Sequence, residues 1–295
     1  MLNIDEFFAG TNEIHYKCHI CGNEFVCGYR GNNITCPYCV TSLGETEVFE
    51  YISSLLQNVE IVQRDRTILD GLELDILIPS QKVAFEYNGV FWHSDKNKDA
   101  DYHLNKSLNC TKRGISLVHI LEYDWLYRKS HVISSINSIL GLSIEVDAFA
   151  CELKEISNTD YDKFVKENSI KKYTKVDRVY GIFENDKLLA VGAIVENNQL
   201  VYTSHLNYKL KNLPLRFAKA FDMPFVDVVV DRGWCEHLPL IKEGFSIIEE
   251  YTPDYVLVSN THILRSDELT NELPDKYQWD KVYNAGSLRM RLVVF

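Results

Sequence analysis

Between Gly71 and His93 the chain reads GLELDILIPSQKVAFEYNGVFWH, and apolar and polar positions there follow a strand pattern. It predicts a β-hairpin, with one strand over Glu73 to Ile78, a turn at Pro79-Ser80-Gln81 and a second strand over Lys82 to Asn88. Successive strand side chains point to opposite sides, so Val83, Phe85 and Tyr87 share one face and Ala84, Glu86 and Asn88 the other. Gly89 ends the strand and permits a sharp bend. Before the hairpin, Val48, Ile52, Leu55 and Leu56 form a helical stripe whose start is expected at Ser42-Leu43-Gly44-Glu45, with Ser42 as the cap. After it come a polar loop over Ser94 to Tyr102, a helix over Asp101 to Arg113, a hydrophobic strand over Ile115 to Leu121 and an amphipathic helix over Val132 to Leu140. Helix, strands, helix, strand, helix predicts a three-layer α/β/α sandwich over residues 42–145.

Past residue 145 the pattern changes to an α+β domain over residues 146–295. Strands are expected at Phe149 to Ile156, Val179 to Phe183, Leu188 to Val195, Gln199 to His205 and Val226 to Asp231, with Phe245 to Tyr251 and Tyr255 to Ser259 completing one sheet. Helices are expected at Asp160 to Asn168, Lys209 to Phe221 and Trp234 to Glu243.

Residues 1–41 carry Cys18-His19-Ile20-Cys21 and Cys36-Pro37-Tyr38-Cys39, two C-x-x-C pairs fourteen residues apart. This is the sequence form of a zinc ribbon, in which two tight turns each offer two thiolates to a tetrahedral ion. Four thiolates close the coordination shell, so the expected Zn²⁺ is structural and Tyr16, Phe25 and Ile34 cover a core too small to stand without it. His19 and Cys27 lie nearby and are expected not to bind.

At 295 residues the chain is long enough for two or three domains. No apolar run reaches the ~18 residues of a membrane span, and MLNIDEFF lacks a basic leader, so a cytoplasmic protein is expected. The formal net charge of −11 runs against a nucleic-acid partner, whose affinity rests largely on phosphate neutralisation.

The hairpin also carries chemistry. Asp75 and Glu86 on adjacent strands offer the hard oxygen ligands that Mg²⁺ takes, with substrate phosphate filling part of the shell. An imidazole with an ordinary pKa near 6.5, at His93, suits activation of water. Asn88 would hold a water or phosphate oxygen, and Lys106 on the following helix a scissile phosphate. Arg64, Arg66, Lys112 and Arg113 are candidate nucleic-acid contacts.

Asp75 followed by Glu86-Tyr87-Asn88 resembles the PD-(D/E)xK nuclease pattern, with Asn88 where the lysine normally stands. Gly89 to His93, Lys106, Asn109 and Gly114 to Glu122 resemble very-short-patch repair endonucleases and their homing-endonuclease relatives. That resemblance implies a restriction-endonuclease-like core, a Mg²⁺-dependent endodeoxyribonuclease activity on double-stranded DNA, and a metal-side role for Glu45. The strand and helix order after residue 146, with Asp231 to Trp234 and Leu240 to Phe245, resembles a GNAT-like acyltransferase fold. Acetyltransferases hold the cofactor pyrophosphate with a glycine-rich loop opening a helix, whereas Lys211-Asn212-Leu213-Pro214-Leu215-Arg216 has no glycine. That points to a noncatalytic module, with Arg216, Lys219, Arg232, Arg289 and Arg291 as candidate contacts. Ribbon, nuclease core and tail together resemble phage homing endonucleases. Two other functions stand beside the nuclease: a catalytically degenerate nucleic-acid- or protein-binding protein, and an acyltransferase acting through the C-terminal domain.

Overall fold

Near the N-terminus, three short antiparallel strands, β1 (Ile4–Phe8), β2 (Glu13–Cys18) and β3 (Glu24–Gly28), run in the order β1-β2-β3. Helix α1 (Pro37–Leu55) follows at once. It starts at Pro37 rather than at Ser42, because Pro37 has a preset φ and lacks only an N–H that a helix start leaves unpaired. The second cysteine pair is therefore the opening of a helix, and residue 41/42 is not a break in the chain's regular structure. The computed structural model describes residues 4–8, 13–28, 36–93, 95, 97–169, 176, 178–195, 198–258, 263–265 and 279–294. Ile34 lies outside them.

The next sheet contains β4 (Val62–Leu69), β5 (Leu72–Ile78), β6 (Val83–Asn88) and β7 (Ser116–Leu121), in the order β4-β5-β6-β7. The β5/β6 hairpin is the expected one, and Pro79–Gln81 closes it as a 3₁₀ turn. Lys82 takes the left-handed conformation at its exit. β6 and β7 are parallel, connected through the short helix α2 (Val90–His93) and α3 (Tyr102–Lys112). All six residues of β6 are buried. That is the burial expected of a central strand covered on both faces.

The chain then passes through α4 (Glu122–Tyr127) and α5 (Lys129–Ile139). Next come β8 (Ile144–Asp147), β9 (Glu152–Glu155), α6 (Asn158–Asn168), β10 (Val179–Glu184), β11 (Lys187–Val195), β12 (Gln199–Ser204) and β13 (Tyr208–Lys211). They are followed by α7 (Leu213–Ala220), β14 (Phe225–Asp231), α8 (His237–Lys242) and β15 (Ser246–Tyr251). The expected helix over Lys209 to Phe221 is instead a strand and a shorter helix, since Tyr208–Lys211 pairs in parallel with β8. The strand expected over Phe149 to Ile156 begins as a 3₁₀ turn at Ala148–Ala150.

Three strands, β16 (Tyr255–Val258), β17 (Ile263–Arg265) and β18 (Asp280–Tyr283), form a separate sheet of order β17-β16-β18. Tyr255 to Ser259 therefore does not complete the large sheet. That sheet is completed by β19 (Ser287–Val293), in the order β15-β19-β14-β12-β11-β10-β9.

The chain forms two compact units, residues 1–125 with 253–285, and residues 126–252 with 286–295. The hydrophobic pattern predicts boundaries at 41/42 and 145/146 instead. In the second unit Phe217, Ile182, Val226, Leu288 and Met290 form the centre of the main core. Gly192 lets the Phe217 ring lie directly on β11, where an added Cβ would meet it.

Candidate functional site

Two places in the first unit gather groups with chemistry. The first is the cysteine cluster. The Sγ atoms of Cys18 and Cys39 are 3.7 Å apart and those of Cys21 and Cys36 3.6 Å, with all four inside 4.8 Å of one another. Tetrahedral zinc with bonds of about 2.3 Å sets neighbouring sulfurs roughly 3.8 Å apart, so the four residues fit the ion. Such a site would tie the β2–β3 turn to the start of α1, and Tyr16 stacked on Phe25 packs beneath it. Cys21 is drawn down to about 7, first by the Asn23 backbone N–H.

The second place is a cavity of ≈ 370 Å³ beside the β5/β6 hairpin. Glu73, Asp75, Glu86 and Lys106 line it, together with His93 from α2 and with Asn97, Lys98 and Tyr102. The strand alternation puts Glu86 there as expected. Its neighbour on the same face, Asn88, is absent from the lining and instead gives its amide to His119 Nδ1 at 3.2 Å. His119 Nε2 lies 2.9 Å from Ser107 Oγ.

Lys106 reaches the pocket from α3 and places Nζ 2.5 Å from Glu86 Oε2, both residues being 4 % exposed or less. This ion pair joins a helix to a strand across 20 residues of sequence. Glu86 Oε1 accepts the Asp75 backbone N–H at 3.2 Å, and Asp75 Oδ2 accepts that of Tyr87 at 2.8 Å. Burial raises the Asp75 carboxyl well above the ordinary range, with the Glu86 charge adding to it. Burial also raises Glu86, against the pull of Lys106. Lys106 is pushed down by burial and up by Glu86, the carboxylates winning, so it remains an ammonium.

His93 departs from its expected electrostatics. Burial, then the charge positions of His103, Lys106 and Lys98, lower it to about 2. It stacks on His103, whose rings are 4.9 Å apart at centroid, and which is itself lowered to about 4 by burial. An imidazole so depressed is neutral at physiological pH but a weak proton acceptor.

Several of the remaining predicted residues are engaged in ion pairs. Glu45 lies outside the cavity lining and takes Arg64 Nε at 3.1 Å. Arg66 pairs with Glu73 at 2.6 Å and Arg113 with Asp70 at 2.5 Å. Lys112 is exposed in the last turn of α3. In the second unit, Arg289 and Arg291 both hold the fully buried Asp227, and Arg232 holds Glu250. The histidine array at His93, His103 and His119 escaped the sequence reading because its members come from three elements with no spacing signature.

Two solved structures similar to this chain are acetyltransferases. One is an N-acetyltransferase from Staphylococcus aureus Mu50, at 15% identity and a TM-score of 0.28, covering 47% of this chain and 96% of that one. The other is a GNAT-family acetyltransferase from Streptococcus pneumoniae, at 10% identity and 0.29, covering 49% and 99%. No family model matches the chain, and no curated protein matches it. The expectation of a Mg²⁺-dependent endodeoxyribonuclease is corrected here: the enzymes found are acetyl transferases, a different class. Glu86 accepts from Lys106 Nζ and from the Asp75 backbone N–H, and burial makes His93 a weak base. Among the described residues no helix is long and apolar enough to cross a membrane.

Proposed function

We propose that the Asp75–Glu86–Lys106 cavity is a phosphodiester-binding site and that the chain is a nucleic-acid-binding protein. One observation carries the reading: a buried ammonium meets the buried Glu86 carboxylate in the lining of a cavity, with the half-buried Asp75 carboxyl beside them and a second lysine, Lys98, in the same lining. A group with anionic oxygens and an associated cation complements that lining. Asp75 and Glu86 would hold a divalent ion through hard oxygens, and the ion would bring the charge that joins phosphate to acids. Lys106 orients Glu86, and Lys98 stacks over Tyr102 at 4.0 Å, holding a second cation in the lining. The order α1, β4, β5, β6, α3, β7 supports the likeness to nucleic-acid-acting α/β/α cores.

The test is fluorescence anisotropy with labelled single- and double-stranded DNA, in Mg²⁺ and in EDTA. Binding that weakens in EDTA and in Lys106→Met is expected. No binding to any oligonucleotide would overturn the proposal, and strand scission lost in Asp75→Asn would replace binding by turnover.

A second reading concerns the other unit. The β10–β11 hairpin, α7, β14, α8 and β15 follow the element order of acyltransferase folds, which supports acyl transfer there. The start of α7 is already engaged: the Asn212 backbone N–H gives to Glu243 Oε1 at 3.2 Å, and Asn212 Nδ2 to Asp147 at 3.3 Å. An anionic cofactor would have to displace those carboxylates. Calorimetric binding of acetyl-CoA that strengthens in Glu243→Gln would establish this reading, and the absence of heat in both proteins would dismiss it.

A further inference from the structure

The segment 253–285 leaves the second unit between two strands that are hydrogen-bonded neighbours, β15 and β19, and belongs to the first unit. A tight turn would join those strands; the chain inserts a sheet instead. That sheet is fastened beside the cavity. The Asp95 backbone N–H gives to Lys281 O at 2.8 Å, and the Lys281 backbone N–H returns to Asp95 Oδ1 at 3.1 Å. Two residues further on, Asn97 and then Lys98 line the cavity.

The register defines the two faces of the insertion. Tyr255 lies opposite Tyr283 and Leu257 opposite Lys281, so the two tyrosines and the lysine share a face. Leu257 on that face is buried, as are Val258, Asp280 and Val282 on the other. Tyr255, Lys281 and Tyr283 remain partly exposed. The tyrosine rings meet edge-to-face at 5.6 Å, and Lys281 Nζ lies 4.6 Å over the Tyr255 ring. Two held aromatic rings with a cation alongside offer a stacking partner for a planar base and a counter-charge for its phosphate.

We infer that this inserted sheet is a base-stacking platform, through which Tyr255, Lys281 and Tyr283 take an unpaired nucleobase of a single strand whose backbone enters the adjoining cavity. The inference deepens the phosphodiester-binding reading and rests on it. The occupant is a single strand because duplex bases are stacked on one another and present no free π-face. The two lysines that flank the Asp95 clamp, Lys98 and Lys281, suit a polyanion on a chain whose net charge is −11.

The experiment measures affinity for a fifteen-residue oligothymidylate, and for the same strand annealed to its complement, in the full chain. Tyr255→Ala and Tyr283→Ala are expected to weaken single-strand binding by roughly fivefold to a hundredfold, the range for loss of one base–aromatic stack, with little effect on duplex. Tyr255→Phe and Tyr283→Phe keep the ring and should bind as the parent does. Thermal unfolding of each variant identifies any that fail to fold, and the phenylalanine pair then carries the comparison with leucine at the same positions. Alanine or leucine variants that are folded and bind single strands like the parent would overturn the platform, even where Lys106→Met weakens binding. Loss in the tyrosine variants with Lys106→Met unaffected would overturn the cavity reading and support the platform. A parent protein that binds neither form would overturn both.

Discussion

At the scale of single residues, the first unit is defined by what burial does to charge. Lys106 and Glu86 are both nearly solvent-free and meet at 2.5 Å. Taking away one partner leaves the other charge buried without compensation, which costs about 3–5 kcal/mol. Lys106→Met should lower the urea-unfolding free energy by that amount, and Glu86→Leu in the same chain should restore much of it. A second residue-scale consequence concerns His103, lowered to about 4 by burial from an unfolded value near 6.5. The unfolded chain binds the extra proton between those values. Its contribution is therefore complete above pH 6.5 and is lost as pH falls toward 4, by up to about 3 kcal/mol. Urea titrations from pH 7 to 4 should show a steeper loss in the parent than in His103→Gln; equal slopes would show that His103 does not titrate in that window. Asp75, Glu86 and His93 were legible one by one from strand alternation and residue type. Their pKa directions were not, because desolvation depends on which atoms surround a group and not on its neighbours in sequence.

At the scale of elements, close approach decides what tolerates change. A Cβ at Gly44 on α1 would run into the Tyr87 hydroxyl on β6. Gly44→Ala should lower stability by about 1–3 kcal/mol by overpacking, as measured by chemical denaturation. An unchanged midpoint would mean that the ring swings clear. The cysteine cluster links β2, β3 and the first turn of α1. Atomic absorption should find one zinc per chain, lost in Cys21→Ser. Chelation should raise hydrogen exchange across residues 13–28 while β5, β6 and β7 stay protected. The C-x-x-C spacing was readable, but the place of the second pair was not. A proline inside the motif initiates a helix, so Cys36 precedes α1 and Cys39 lies within it.

At the scale of the whole molecule, the net charge of −11 limits how much of any nucleic-acid affinity can come from phosphate neutralisation. Arg64, Arg66 and Arg113 are paired with acids and Lys106 with Glu86, leaving Lys98 and Lys281 as the cations at the proposed site that can meet phosphate. Two such contacts give a slope of log affinity against log salt of roughly −1.4 for a single strand. A slope several times steeper, measured by anisotropy between low and moderate salt, would place the binding surface elsewhere.

The sequence by itself determined the β5/β6 hairpin, the thiol set, and in the second unit α6, the β10–β11 hairpin, β12, β14 and β15. Each rests on a local rule: a period of two, a C-x-x-C turn, or a turn residue between apolar runs. Tertiary structure alone decided that Lys106 supplies the cation beside Glu86, that Asn88 turns to His119, and that the arginines are spent in ion pairs. It also decided that residues 253–285 leave one unit to build part of the other. These outcomes depend on contacts between residues far apart in the chain, and a hydrophobic period carries no information about which distant partner a buried charge or an edge strand will find.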